Sequence, residues 1–94
     1  MKVVGIGILH EFCQIHRDVE GQIQNWLADA RGASWQTTRD IKLRYQTASF
    51  LSGNRVVFNL KGNKYRLLTI LSFPNQVVFV KKIGTHAEYD KWEL

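Results

Sequence analysis

The apolar residues of this chain change period once, after Tyr45, and that change limits the fold to helices followed by a sheet. Before it, Leu9, Phe12 and Ile15, then Val19, Ile23, Trp26, Leu27 and Ala30, recur at the three-to-four spacing of amphipathic helix. His16, Arg17 and Asp18 interrupt that stripe. With Asp18 as an N-cap, two helices in an αα-hairpin fit better than one. Gly32 can take the left-handed conformation that closes a helix, and a short third helix runs from about Thr37, whose hydroxyl can cap it, to Tyr45. After the change, Arg55–Leu60, Tyr65–Phe73 and Val77–Ile83 are rich in Val, Ile, Leu and aromatics. Gly62-Asn63 and Pro74-Asn75 separate them, which predicts an antiparallel meander.

Weaker signals complete the outline. Lys2–Ile8 reads as a strand leading into a helix, and Ser49–Ser52 as a further short strand joined through Gly53-Asn54. Thr85–Trp92 is either one helical turn or a tail across the sheet. The expectation is an α+β fold: an N-terminal strand and helices, then a three- to four-stranded antiparallel sheet with the helices packed on one face. With 94 residues there is room for one such unit, so residues 1–94 are expected to form a single domain. No long apolar span or leader pattern predicts export or membrane insertion, and the expected location is the cytoplasm. The lone Cys13 falls on the apolar stripe and reads as a structural thiol.

The net charge is +5, and its distribution is more informative than its size. Arg55, Lys61, Lys64, Arg66, Lys81 and Lys82 fall between Gly53 and Ile83, a stretch without Asp or Glu. Cations gathered without local counter-charges suit phosphates or an acidic partner.

Two blocks carry candidate chemistry. In Phe58-Asn59-Leu60-Lys61-Gly62-Asn63-Lys64-Tyr65-Arg66-Leu67, strand alternation puts Lys64, Arg66 and Leu68 on one face and Tyr65, Leu67 and Thr69 on the other. Arg66 and Lys64 could then present two cations to one phosphate, or Arg66 could be a solvated residue paired with a carboxylate. In Thr85-His86-Ala87-Glu88-Tyr89-Asp90-Lys91, His86 and Tyr89 are neighbours if the segment is helical. An imidazole exchanges protons near neutral pH, and a phenol beside cations can hold or pass one. Alternatively Tyr89 packs and His86 caps a loop. Glu88 and Asp90 are expected to point into solvent. His10 and His16 have no companion ligands at metal spacing, so no metal site is expected. Trp26 fits the core, while Trp35 could pack or stack a base.

The two blocks together resemble the signature of HigB-type mRNA interferases, within the wider group of RelE-like toxins. The likeness extends over nearly the whole chain, including the early helical pair, Trp35 before a short helix, the Asn54-Arg55-Val56-Val57-Phe58 strand and an ending just after Tyr89-Asp90. Lys61 departs from it, standing where a small residue precedes the Gly-Asn turn in many relatives. The resemblance implies a ribosome-dependent endoribonuclease that cuts mRNA by attack of the 2′-hydroxyl, without metal or cofactor. It assigns catalysis to Arg66, His86 and Tyr89, with Arg66 on the phosphate and the other two moving protons in an order left open. Asn59, Lys61, Asn63, Lys64 and Lys91 are the substrate-binding candidates. The implied partners are mRNA on the ribosome and a HigA-like helix-turn-helix antitoxin, with DNA contacted only through that antitoxin. Two other readings compete: a non-catalytic RNA-binding module that uses Tyr65, Phe73 and Phe79 as a stacking platform, and a protein whose basic face docks an acidic partner.

Overall fold

The computed structural model describes residues 1–94. Strand β1 (Lys2–Val4) leads into helix α1 (Ile6–Ile15), a 3-10 turn (Arg17–Val19), α2 (Glu20–Gly32) and α3 (Thr38–Arg44). Strands β2 (Ser49–Leu51), β3 (Arg55–Leu60), β4 (Tyr65–Ser72) and β5 (Val77–Thr85) follow, and the short α4 (His86–Tyr89) comes last. No helix is long and apolar enough to cross a membrane.

The fold is α+β, as the period change requires, but the sheet has five strands in the order β1-β5-β4-β3-β2 and is mixed. β2 to β5 form the antiparallel meander, while β1 joins the far edge parallel to β5, with Val3 beside Val78. A parallel neighbour needs a crossover, and everything between β1 and β5 supplies it. Gly5 makes the exit from β1 possible. It has φ +95°, and a Cβ there would lie 2.7 Å from the Val80 carbonyl oxygen.

Strand alternation sends Val56, Phe58, Leu60, Tyr65, Leu67, Leu71, Val78 and Val80 toward the helices, where they bury Leu9, Phe12, Ile23, Trp26, Leu27 and Ile41. Trp26 packs edge-on against Phe58, and Trp35 is buried beside Tyr45, so both tryptophans belong to the core. Cys13 is buried as well, and burial pushes its thiol pKa up. Thr69 is the polar member of this face, its hydroxyl donating to the Val56 carbonyl at 2.9 Å.

Two local expectations are corrected and a third holds. Asp18 does not cap α2. It sits in the 3-10 turn and spends its carboxylate on Lys64 and Tyr65. Gly32 is the last helical residue rather than a left-handed stop, and extended Ala33 ends the helix. Thr37 does cap α3, in a capping box with Asp40.

Candidate active site

Asn59, Arg66, His86 and Tyr89 lie on the sheet face away from α1 to α3, at the end carrying the β3–β4 turn. Asn59, Arg66 and Gly84 stand in one row across β3, β4 and β5. Asn59 donates through its side-chain amide to the Thr47 carbonyl at 3.0 Å. At the turn, Lys61 and Gly62 both adopt positive φ, +51° and +65°. The Lys61 N–H donates to the Gln22 side chain at 2.6 Å, leaving the ammonium exposed.

Arg66 is only 8% exposed, yet it belongs to no ion pair. Its Nη1 donates to the carbonyls of Asn63, at 2.9 Å, and Tyr65, at 3.4 Å. Nε and Nη2 donate to no protein acceptor, and neither is sealed from solvent. A cation withdrawn from water without a carboxylate is costly unless something else supplies negative charge. The expected alternative, a solvated arginine paired with a carboxylate, is therefore not what the fold contains.

The lid over Arg66 is α4. Arg66 lies 5.3 Å from the centre of the Tyr89 ring, a cation–π contact, and Tyr89 is braced edge-on by Trp92. The helical turn forms because Thr85 and Glu88 make a capping box, with Glu88 Oε1 accepting from the Thr85 N–H at 3.0 Å. Those bonds hold the Glu88 carboxyl below its ordinary pKa. The His86 N–H donates to the Lys64 carbonyl at 2.9 Å and anchors α4 to the turn. The His86 Nδ1 lies 3.2 Å from the Asp90 carboxylate. With Nδ1–H given to Asp90, Nε2 is left as the proton acceptor. Glu88 and Asp90 are thus exposed but engaged, one shaping α4 and the other orienting His86.

Lys64 leaves the face that strand alternation assigned to it. Its Nζ meets Asp18 at 2.7 Å, on the helix side, and the Tyr65 hydroxyl donates to the same carboxylate at 2.7 Å. These two bonds lower the Asp18 pKa to about 2, and the pair raises that of Lys64. Burial, followed by the bond to Asp18, raises that of Tyr65. His16 completes the cluster, stacked on Phe12 with ring centroids 4.3 Å apart. Lys64 and Arg66 therefore do not converge on one point. Nor do Tyr65, Phe73 and Phe79 form a stacking platform: Tyr65 is buried under the helices, Phe73 packs against the core and Phe79 lies on the opposite face. The remaining candidates, Asn63 and Lys91, are exposed beside the turn and just after α4. No three His, Cys, Asp or Glu side chains converge as a metal-ligand set.

Two contributors went unnoticed in the sequence. Gly84 is buried opposite Arg66, and a Cβ there would lie 3.0 Å from Trp92 Cζ2 and 3.2 Å from Glu88 Cβ, so its bareness lets α4 and Trp92 approach the sheet. Trp92 closes the site behind Tyr89. A glycine inside a strand is a signal of close approach, but it does not say what approaches.

In this basic α+β fold, an unpaired arginine under a histidine- and tyrosine-bearing turn could receive an anion. The chain belongs to the HigB toxin family, described as the RelE-like toxic component of a toxin-antitoxin system, whose family model matches residues 19–92. No match is found among curated proteins. As a member of such a system, the chain has an antitoxin for its partner.

Proposed function

We propose that this protein is a ribosome-dependent mRNA endoribonuclease that halts translation in the cytoplasm and is neutralised by a HigA-like helix-turn-helix antitoxin. The observation that carries this reading is Arg66, a buried guanidinium without a carboxylate and with Nε and Nη2 uncommitted. A phosphate supplies the missing charge, and the planar fork matches two of its oxygens.

In the proposed reaction the 2′-oxygen attacks the adjacent phosphorus, the P–O5′ bond breaks, and a 2′,3′-cyclic phosphate and a free 5′-hydroxyl result. Arg66 stabilises the phosphorane, whose charge exceeds that of the ground state. His86, oriented by Asp90, and Tyr89, held over Arg66, take the 2′-proton and return one to the 5′-oxygen. No metal takes part. Lys61 and Lys91, exposed and unpaired, attract the backbone, while Asn59 and Asn63 orient it. Lys64, neutralised by Asp18, contributes less. DNA is reached only through the antitoxin.

The test is to add purified protein to ribosomes programmed with a defined mRNA and map the ends. New 5′-hydroxyl ends within the A-site codon, absent without ribosomes and absent when antitoxin is added first, are expected. Intact mRNA in the presence of folded, ribosome-bound protein contradicts the reading.

A further inference from the structure

The site occupies one end of the outer sheet face; Val57 and Leu68 next to it are buried, and the face opens to solvent only toward β1, at Phe79 and Val4. Strand registers place Leu51, Arg55, Ile70, Phe79 and Val4 in a single row that crosses all five strands. Val4, on the edge strand β1, and Phe79, beside it on β5, are 40% and 39% exposed. Leu51, Ile70 and Val77 beside them are half-buried. α4 is the sole helix on this side, and it packs on β4 and β5 at the Arg66 end. Two adjacent apolar side chains left in water at the β1 end of a largely apolar row mark an interaction surface.

Its rim is basic. Arg55 stands within the row, and Lys2 and Lys82 stand in the rows on either side. No Asp or Glu occurs from Ile41 to Ala87, so β2 to β5 offer these cations no acidic neighbour. Residues after α4 show what such a surface accepts. Trp92-Glu93-Leu94 lies on this face, with the Trp92 ring 5.6 Å from Lys82 Nζ and the Leu94 carbonyl accepting from Arg55 Nη1 at 2.8 Å. An apolar peptide that offers an oxygen to Arg55 already suits the sheet there. Nucleic acid fits less well, because stacking needs flat rings and the strip has one aromatic, Phe79, among aliphatics.

We infer that the strip Leu51–Ile70–Phe79–Val4, with Lys2 and Arg55 at its rim, is the docking surface for an acidic, aliphatic segment of the antitoxin. The inference rests on the toxin-antitoxin reading for its partner but not on RNA cleavage. Aliphatic side chains of the segment cover Val4 and Phe79, and its carboxylates meet Lys2 and Arg55. The segment thereby lies beside the Arg66 site.

Calorimetric titration of purified antitoxin into the full chain tests this, with Arg66→Ala present throughout so that cleavage activity has no bearing on the result. Phe79→Asp and Val4→Asp are expected to weaken binding about 10- to 100-fold, the scale of losing a central anchor. Lys2→Glu, on an exposed side chain that cannot unfold the protein, is expected to weaken it several-fold and to flatten its salt dependence. Ile15→Ser and Leu43→Ser, on apolar residues 78% and 71% exposed outside the strip, are expected to leave affinity unchanged. Wild-type affinity in folded Phe79→Asp and Lys2→Glu proteins overturns the assignment. So does loss of oligouridine binding in Phe79→Asp with antitoxin binding intact, or a dimer of the free chain that Phe79→Asp splits. Those results give the strip to RNA or to a second copy.

Discussion

Arg66 and Tyr89 meet as cation and ring, 5.3 Å apart, because Gly84 stands opposite Arg66 and leaves room for α4 to settle on the sheet. The contact joins the two sequence blocks that carry the candidate chemistry. It also makes the site dependent on packing: the arginine is held by carbonyls and an aromatic face rather than by a carboxylate, so a phosphate has no internal anion to displace.

Arg66→Ala is expected to lower the single-turnover rate of mRNA cleavage on programmed ribosomes by about 10² to 10³, the scale of losing one preorganised charge-stabilising donor. Arg66→Lys keeps the charge, loses the fork, and should recover part of the rate. Because Arg66 is buried against Tyr89, the alanine variant should also melt somewhat earlier, so ribosome binding and circular dichroism are measured alongside. A folded, bound Arg66→Ala protein that cuts at the wild-type rate places the chemistry elsewhere.

Gly84→Ala adds one methyl group under the lid. It meets Trp92 Cζ2 at 3.0 Å and Glu88 Cβ at 3.2 Å, so α4 must give way by a few tenths of an ångström. The expected result is a fall of about tenfold in cleavage rate, from displacement of Tyr89 and His86, with ribosome affinity nearly unchanged. Altered Trp92 fluorescence reports the displacement independently of activity. Unchanged fluorescence with an unchanged rate shows that α4 does not need this close seat.

Lys61→Gly should stabilise the protein. Lys61 has φ +51°, a left-handed conformation that costs a side-chain-bearing residue about 1 kcal/mol or more, and glycine's larger freedom when unfolded returns part of that gain. A net gain of about 0.5 kcal/mol by urea denaturation is expected. The same change removes an exposed cation at the site, so ribosome binding should become weaker and less salt-dependent. A loss of stability shows that the turn tolerates lysine without strain.

Asp18 should govern the acid limb of stability. Its carboxyl drops from an ordinary 3.8 to about 2 because Lys64 and Tyr65 donate to it, so the native state favours the ionised form. That stabilisation is complete above the unfolded value near 4 and is lost as the pH falls toward 2. The urea midpoint should therefore decline through this window, and Asp18→Asn should lower it at pH 6 while flattening the decline. Raised pKa values of Lys64 and Tyr65 work at the other end, where the stabilisation they reflect is present below their ordinary values of 10.5 and 10.0 and is lost at higher pH. Parallel midpoint curves for wild type and Asp18→Asn between pH 5 and 2 refute the role given to this pair.

What the amino-acid sequence determined by itself was whatever depends on near neighbours. The helical stripe, the change of period after Tyr45, the turns at Gly62-Asn63 and Pro74-Asn75, and the Thr37 cap all follow from side-chain spacing and local backbone preference, and each stands in the fold. The two candidate blocks were picked out by their residue types and by their resemblance to the HigB-type signature, and not by spacing. Only the tertiary structure decided that β1 runs parallel to β5, that Asp18 leaves its cap position for Lys64 and Tyr65, and that Arg66 is buried without a counter-ion beneath Tyr89. Each of these pairs groups far apart in the chain, and nothing in local spacing ranks one distant partner over another. Burial of the helix-facing sheet surface makes much of that choice, because it fixes the register in which the strands pair.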